Sequence, residues 1–344
     1  MMMIRPVCMN DLPGLVALAE SAGTGLTTLP SNRGLLRTKI KRSIRAFEAE
    51  VLRPRGEVYL LVMEDLLTGE VVGTAGILAR VGGFEPFYSY RVKTAVRHSE
   101  QLGVHSTVRY LQLDVSHKGP SEIGTLFLRP DARGGGNGRL LSLARFMLMA
   151  AQRHRFAPEV IAEMRGVLNE GCSPFWRAVG SHFFNNMPFA QADELSAADK
   201  GFIGDLMPKH PIYIPMLPPE VQAVVGQVHR DTEPALRLLE QEGFTCAEQV
   251  DIFDAGPMVE AQTERVRTIR ESRLGLLTGV GPVDCARPLL ISNDQLDIRV
   301  VMGCLDEVDD GVVLPRDVVL ALGIRLGDTV RYAPSRGRTP ARPS

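Results

Sequence analysis

A glycine-rich segment near the middle of the chain has the residue types and spacing to bind an anion. The apolar run Ile123–Leu128 is rich in strand-forming residues, Pro130 ends it, and the segment Arg133–Gly138 follows with four glycines. Glycine lets backbone N–H groups approach an anion, and the N-terminus of a following helix adds the positive end of its dipole. The pattern predicts a phosphate or pyrophosphate site. From the glycines alone, a flexible surface loop is an equal alternative.

Two common phosphate-binding motifs fit this segment poorly. It has no Gly-Lys-Ser/Thr ending, and the third glycine of G-x-G-x-x-G would be needed where Arg139 or Leu141 stands. Arg-x-x-Gly-x-Gly does fit, at Arg133, Gly136 and Gly138. That spacing resembles the acyl-CoA pyrophosphate loop of the Gcn5-related N-acetyltransferase superfamily, in which the loop also lies between a strand and a long apolar helix.

The apolar patterns around this unit predict several strands and helices. Strands are predicted at 1–8, 58–63, 71–78, 84–92, 121–128, 160–166 and 250–255, with a short strand or loop at 111–114. Helices are predicted after Asn10 or Asp11 and at 33–52, 140–151, 173–180, 190–206 and 233–241. Short strands at 289–292, 298–302 and 329–332 and a helix at 317–322 make the end of the chain rich in β-structure.

Composition excludes some classes of function. The 344 residues carry a formal net charge of -1, which gives no electrostatic case for binding nucleic acid or an acidic membrane. The five cysteines form no C-x-x-C pair, so we expect idle thiols in a reducing compartment and no metal site. The N-terminus does not resemble a signal peptide and no apolar run is long enough to cross a bilayer, so we expect a cytoplasmic protein.

Three other stretches could contact a substrate. Arg91 follows a cluster of aromatic residues and could pair with a carboxylate, although a half-exposed strand explains the cluster equally well. Glu163 and Arg165 are expected on one face of a strand, where a structural salt bridge is the alternative. The segment 21–30 is either a linker or a loop that lines the acceptor pocket.

Several longer phrases are similar to those of one family, the arginine N-succinyltransferases. The resemblance runs from Met1 to about Arg273 and is carried by MxxIRPV, TGLTTLP, the aromatic stretch that ends in YRV, TLFL, NGRLLS, IAEMRG, SPFW, LMPKHPIY, GQVH and VDIFDAGP. The resemblance implies transfer of succinyl from succinyl-CoA to the α-amine of L-arginine, the first step of arginine breakdown by the succinyltransferase route. The implied fold is α/β (α+β), a mixed, mostly antiparallel sheet flanked by helices, with a small C-terminal β-rich appendage.

The resemblance also implies roles for individual residues. His229, in GQVH, matches the family's proton donor, and Leu126, in TLFL, matches a contact to succinyl-CoA. The strand edge that would align the pantetheine comprises Thr125, Leu126, Phe127 and Leu128. The pyrophosphate would be held by Arg133, Gly134, Gly136, Asn137, Gly138 and Arg139. Relatives often carry a larger residue among the first glycines. Position in the chain and charge, rather than the resemblance, make Arg91, Arg165 and Lys209 candidates for the substrate carboxylates, and Glu163 and Asp193 candidates for the guanidinium.

The expected organisation is an acyl-CoA N-acyltransferase domain at 1–260, a charged helix or arm at 261–273, a β-rich region at 274–333 and a disordered tail at 334–344. We expect no permanently bound cofactor, with succinyl-CoA as co-substrate, and either a homo-oligomer or pairing with a related subunit. Two alternatives stay open: a succinyltransferase acting on ornithine or another amine, and a non-catalytic acyl-CoA-binding subunit. The intact loop and His229 argue against the second.

Overall fold

The computed structural model describes residues 1–22, 28–196 and 201–337. Most of the expected acceptor loop (23–27) and of the expected tail (338–344) lies outside these ranges. The strands are β1 (Met2–Pro6), β2 (Val58–Asp65), β3 (Glu70–Leu78), β4 (Phe87–Ser99), β5 (Val104–Ser116), β6 (Ser121–Leu128), β7 (Glu159–Glu163), β8 (Ile212–Tyr213), β9 (Thr245–Val250), β10 (Pro257–Gln262), β11 (Arg273–Val280), β12 (Leu289–Ser292), β13 (Val300–Gly303), β14 (Asp306–Val308), β15 (Gly311–Leu314) and β16 (Thr329–Pro334).

The helices lie mainly before β2, after β6 and between β7 and β9. They are α1 (Leu12–Ala22), α2 (Arg33–Glu48), α3 (Asn137–Ala151), α4 (Pro174–Ala178), α5 (Gly180–Phe183), α6 (Phe189–Ser196), α7 (Gly201–Leu206), α8 (Pro219–Val224), α9 (Glu233–Gln241), α10 (Arg267–Arg270) and α11 (Arg316–Leu322). Among the described residues, none of these helices is long and apolar enough to span a membrane.

The strands form one sheet, in the order β14-β15-β11-β16-β12-β13-β1-β2-β3-β6-β7-β10-β9-β4-β5-β8. Within the described ranges, β6–β7 and β11–β15 pair in parallel and the other strand pairs are antiparallel. The predicted fold class is confirmed: a mixed, mostly antiparallel sheet is flanked by helices. The C-terminal β-rich region continues this sheet, because β13 pairs with β1.

The two faces of the central sheet are covered by different helices. As predicted, α3 is apolar on nearly every side, and its residues from Leu140 to Ala150 are all buried. Together with Ile123 and Val160 it forms the largest apolar core. On the other face, α1 and α2 pack their buried leucines against Leu60 and Val62 of β2. Asn32 caps α2 by accepting hydrogen bonds from the N–H groups of two residues in its first turn.

Three local expectations are wrong. The strand predicted at 250–255 ends at Val250, because Asp251 Oδ1 accepts the N–H groups of Phe253 and Asp254 and fixes a turn. The stretch 261–273 is not a solvated arm, since Val266 through Ile269 are buried. The cysteines are not all free thiols, since Cys285 and Cys304 form a disulfide.

Strand β5 is longer than the sequence indicates. Only 111–114 shows a strand pattern in the sequence, whereas β4 and β5 pair along their whole length from Phe87–Ser116 to Ser99–Val104. The distal part of this hairpin is largely exposed, so it lacks the alternation of apolar and polar residues that marks a half-buried strand.

Candidate active site

Strands β6 and β7 separate from each other and leave a wedge in the middle of the sheet. They pair only at Ser121–Val160 and Glu122–Ile161. Beyond that point β6 stays paired with β3, and β7 stays paired with β10. The facing edges of the two strands therefore offer backbone N–H and C=O groups to an added extended ligand, which is how a pantetheine chain would bind.

The β6 side of the wedge carries a bulge at Thr125. The register between β3 and β6 shifts between Thr74 and Gly76, which places both Thr125 and Leu126 opposite Ala75. Thr125 has φ +52°, a rare conformation for a β-branched residue. Such strain costs on the order of 1–3 kcal/mol and clusters at functional sites. The bulge turns Leu126 to the α3 core and Phe127 to the α1–α2 core.

The glycine-rich segment forms the loop that leads from β6 into α3. Gly134, Gly135 and Gly136 have φ values of +110°, +56° and +89°. A Cβ on Gly134 or Gly135 would meet no described atom within 4 Å, so the outer side of the loop is open. The first N–H groups of α3, including that of Gly138, have no intrahelical acceptor. The loop and the helix N-terminus thus present donors beside the wedge, as the anion site requires.

The polar side chains of this loop have different surroundings. Asn137 donates to the carbonyl of Ala132 at 2.9 Å and so holds the loop closed. Arg133 is exposed. Arg139 donates to Gln241 Oε1 at 3.1 Å. Burial lowers the pKa of Arg139, and nearby arginines, Arg336 first, lower it further. The N-terminus of α3 therefore lies in a positively charged environment that suits a pyrophosphate.

His229 is anchored to the other side of the wedge. Gly166, just beyond the end of β7, pairs with Val228, and the His229 N–H donates to the carbonyl of Arg165 at 2.7 Å. His229 Nδ1 accepts the N–H of Asp231 at 3.2 Å. In the neutral ring the proton must then lie on Nε2, which is the atom that can donate to a ligand. The ring is partly exposed.

Arg165 and Asp193 are two of the predicted substrate residues, and they bind each other. Arg165 makes a bidentate pair with Asp193, lies 3.4 Å from a carboxylate oxygen of buried Asp254, and stacks on Phe189 at 5.1 Å from the ring centroid. Their charges are already balanced inside the protein. This favours the structural salt bridge, which was the alternative interpretation for Arg165.

The other predicted substrate residues are spread out. Glu163 is half-buried at the end of β7, on the sheet face opposite the α3 core, and so lies at the wedge. Arg91 is on the β4–β5 hairpin, where it is exposed and pairs with Asp114 at 2.8 Å. Lys209 lines a separate cavity together with Tyr88 and Leu113. Of these three, only Glu163 lies where it could contact an acceptor in the wedge.

Lys39 of α2 is a residue of this site that sequence reasoning missed. Its Nζ donates to Thr125 Oγ1 at 3.1 Å and to the carbonyl of Thr28. The signal was present in the sequence, because Lys39 falls between Leu36 and Ile40 on the stripe of α2 that faces the sheet. A lysine on an apolar stripe is unusual and can mark a function.

Comparisons with known proteins identify relatives along most of the chain. Residues 2–268 match the model of the family described as arginine N-succinyltransferase beta subunit, and residues 273–334 match that of its C-terminal domain. Arginine N-succinyltransferases of Escherichia coli strain 55989 and Enterobacter sp. strain 638 are each 45% identical over 96% of this chain and 97% of their own length.

A solved structure is similar along the whole chain. The structure of arginine/ornithine succinyltransferase subunit AI from Pseudomonas aeruginosa has 35% sequence identity and a TM-score of 0.89, and the match covers 98% of this chain and 99% of that one. The family model, the sequence relatives and the solved structure are all described as arginine succinyltransferases. The chain belongs to the arginine N-succinyltransferase beta subunit family.

Proposed function

We propose that this protein transfers the succinyl group of succinyl-CoA to the α-amine of L-arginine, giving Nα-succinyl-L-arginine and CoA. The observation that carries the proposal is the wedge between β6 and β7, with the bulge at Thr125 on one side, His229 on the other and the glycine loop at its end. Family membership supports the same reaction.

The coenzyme would bind along β6 and at the loop. The edge from Thr125 to Leu128 pairs with the pantetheine amides, as an added strand would. The pyrophosphate is held by backbone N–H groups of Gly134, Gly136 and Gly138 and by the charges of Arg133 and Arg139, while the N–H of Asn137 donates to the Gly134 carbonyl at 3.0 Å and shapes the loop. This pose places the thioester beside the bulge and between the two sides of the wedge.

The reaction proceeds by direct attack of the amine on the thioester carbonyl. His229 in its protonated form donates the Nε2 proton to the departing sulfur as the C–S bond breaks, so that CoA leaves as a thiol and a neutral imidazole remains. A covalent acyl-enzyme is not needed. The described free thiols are Cys8, Cys172 and Cys246, and each lies outside the elements that form the wedge. Glu163 supplies a carboxylate for the guanidinium of arginine.

Release of CoA from succinyl-CoA, followed with a disulfide dye, tests this function. The purified chain should release CoA with L-arginine and not without an amine. An L-ornithine arm measures acceptor preference, since the Pseudomonas aeruginosa relative is titled arginine/ornithine succinyltransferase. No release with either amine, despite calorimetric binding of succinyl-CoA, would overturn catalysis by this chain alone and indicate a need for a partner subunit.

Gly134→Ala should weaken coenzyme binding. At φ +110° an L-residue is strained by about 1–2 kcal/mol, so the loop is expected to move away from the conformation that presents its N–H groups. We expect the Kd for succinyl-CoA to rise about 10-fold, which corresponds to 1.4 kcal/mol, with a smaller effect on kcat. Calorimetric titration measures this change.

Gly103→Ala is the matched control. Gly103 also has a positive φ, +60°, and open space around its Cβ position, but it lies in the turn between β4 and β5. The Gly103→Ala variant should lose about as much free energy of unfolding as Gly134→Ala and keep its affinity for succinyl-CoA. An equal loss of affinity in both variants would contradict a specific role for the loop.

A further inference from the structure

Lys39 reaches the reacting centre from the α2 face of the sheet. The hydrogen bond from its Nζ to Thr125 Oγ1 places the amine at the bulge, where the proposed coenzyme pose puts the thioester. The second hydrogen bond, to the Thr28 carbonyl, fixes its direction. The lysine is thus held by two neutral oxygens beside the residue with the strained backbone.

An uncharged amine can make both of these contacts. A neutral lysine has two N–H groups and one lone pair, whereas the ammonium has three N–H groups and no lone pair. The two oxygens accept two N–H groups, so the remaining position on nitrogen is either a third N–H or a lone pair. In the neutral form that lone pair is available to accept a proton.

The surroundings of Lys39 favour the neutral form. Burial lowers the pKa of Lys39 to about 8; the Glu122 carboxylate opposes this change, and the charge of Arg42 adds to it. The elements α1 and β2, which also pack against α2, contribute apolar side chains such as Leu15 and Leu60. A lysine with a pKa near the working pH is suited to proton transfer.

Two carboxylates lie on the same face of the sheet as Lys39. Glu122 acts on Lys39 electrostatically, and it points away from the α3 core because its neighbour Ile123 is buried there. Glu163 of the adjacent strand β7 shares this face. Negative charge here would attract the cationic acceptor and bring its ammonium toward Lys39.

We propose that Lys39 is the general base that deprotonates the α-ammonium of the acceptor, an inference that rests on the proposed function. The lone pair of Nζ takes one proton from the ammonium, and the freed amine attacks the thioester carbonyl. The proton that the new amide nitrogen must lose is balanced by the proton that His229 gives to the CoA sulfur and later regains. Lys39 then releases its proton to solvent, so one proton leaves per turnover.

The first test is the pH dependence of kcat for Lys39→Met, which keeps the length of the side chain but has no basic nitrogen. The unmodified protein should show kcat rising with pH up to about 8, because the lysine must be neutral to act. Lys39→Met should lose this rise and show kcat lowered ~10²–10⁴-fold near neutral pH. Lys41→Met, on the exposed side of α2, should retain both the rate and the profile.

Lys39→Arg separates a base from a cation that holds a carboxylate. Arginine keeps the charge and cannot be deprotonated in a protein. We expect it to be as inactive as Lys39→Met. If kcat of Lys39→Arg is within about 10-fold of that of the unmodified protein, Lys39 is not the general base, and its charge binds a substrate carboxylate instead. An unchanged pH profile in Lys39→Met would also overturn it.

Competitive labelling of the unmodified protein gives a readout that needs neither variants nor turnover. With trace acetic anhydride, Lys39 should gain reactivity around pH 8, and the exposed Lys41 serves as the internal reference for the amount of reagent. The absence of a gain in Lys39 reactivity around pH 8 would overturn the proposal. If the unmodified protein releases no CoA with arginine, both the proposed function and the role of Lys39 as general base are overturned. If CoA is released with arginine but the Lys39 experiments give the contradicting results, only the role of Lys39 is overturned.

Discussion

His229→Ala is expected to lower kcat for succinyl transfer by ~10²–10⁴-fold, the usual contribution of a positioned proton donor. The thiolate of CoA must gain a proton as it leaves, and Nε2 is the ring nitrogen of His229 that can deliver it, because Nδ1 is engaged with the N–H of Asp231. The effect should appear in kcat at saturating substrates. Binding of succinyl-CoA should stay within about twofold, because the loop and the β6 edge are unaltered.

His210→Ala is the control for this variant. His210 is exposed and lies in the segment between α7 and β8, away from the wedge. It should retain full turnover, with a steady-state assay and calorimetric titration run on both variants. Full turnover by His229→Ala would refute its role as the proton donor. A loss confined to the affinity for succinyl-CoA would make it a binding residue.

Local sequence was sufficient to predict the unit at the centre of the fold. The run Ile123–Leu128, the glycines after it and the apolar helix that follows all occur within about one β-α unit, and each leaves a periodic or compositional signal. The structure has them as β6, the loop with three positive-φ glycines, and α3. His229 gave no such signal. It was singled out by the resemblance of one four-residue phrase.

Contacts between distant segments could not be predicted in this way. The wedge depends on which strands stop pairing, and the bulge at Thr125 depends on the register with β3, 50 residues earlier along the chain at Ala75. Arg165 looked like a substrate residue because its partner Asp193 is 28 positions away on α6. Lys39 is 86 positions from Thr125. In each case the tertiary partner decides the role, and the local sequence does not name it.

Glu242→Ala should have the largest effect on stability. Glu242 is fully buried at the end of α9, where it accepts hydrogen bonds from Arg267 Nε at 3.0 Å and from the Thr268 N–H at 2.8 Å. Arg267 in turn donates to the carbonyl of Pro334 in β16 at 3.0 Å. Removing one partner of a buried ion pair leaves an uncompensated charge and costs about 3–5 kcal/mol. Glu271, 3.5 Å from Arg267, offsets part of this cost. We therefore expect the free energy of unfolding to fall by about 3 kcal/mol, as measured by urea unfolding followed by circular dichroism.

The same variant connects stability to the site. Gln241, next to Glu242, accepts the hydrogen bond from Arg139 at the start of α3, so loosening the end of α9 should also weaken succinyl-CoA binding. Glu240→Ala, exposed on the same helix, should change the free energy of unfolding by less than about 0.5 kcal/mol. The double variant Glu242→Leu/Arg267→Met should be more stable than Glu242→Ala, because no buried charge is left unpaired. If it is equally unstable, lost packing rather than the unpaired guanidinium accounts for the effect.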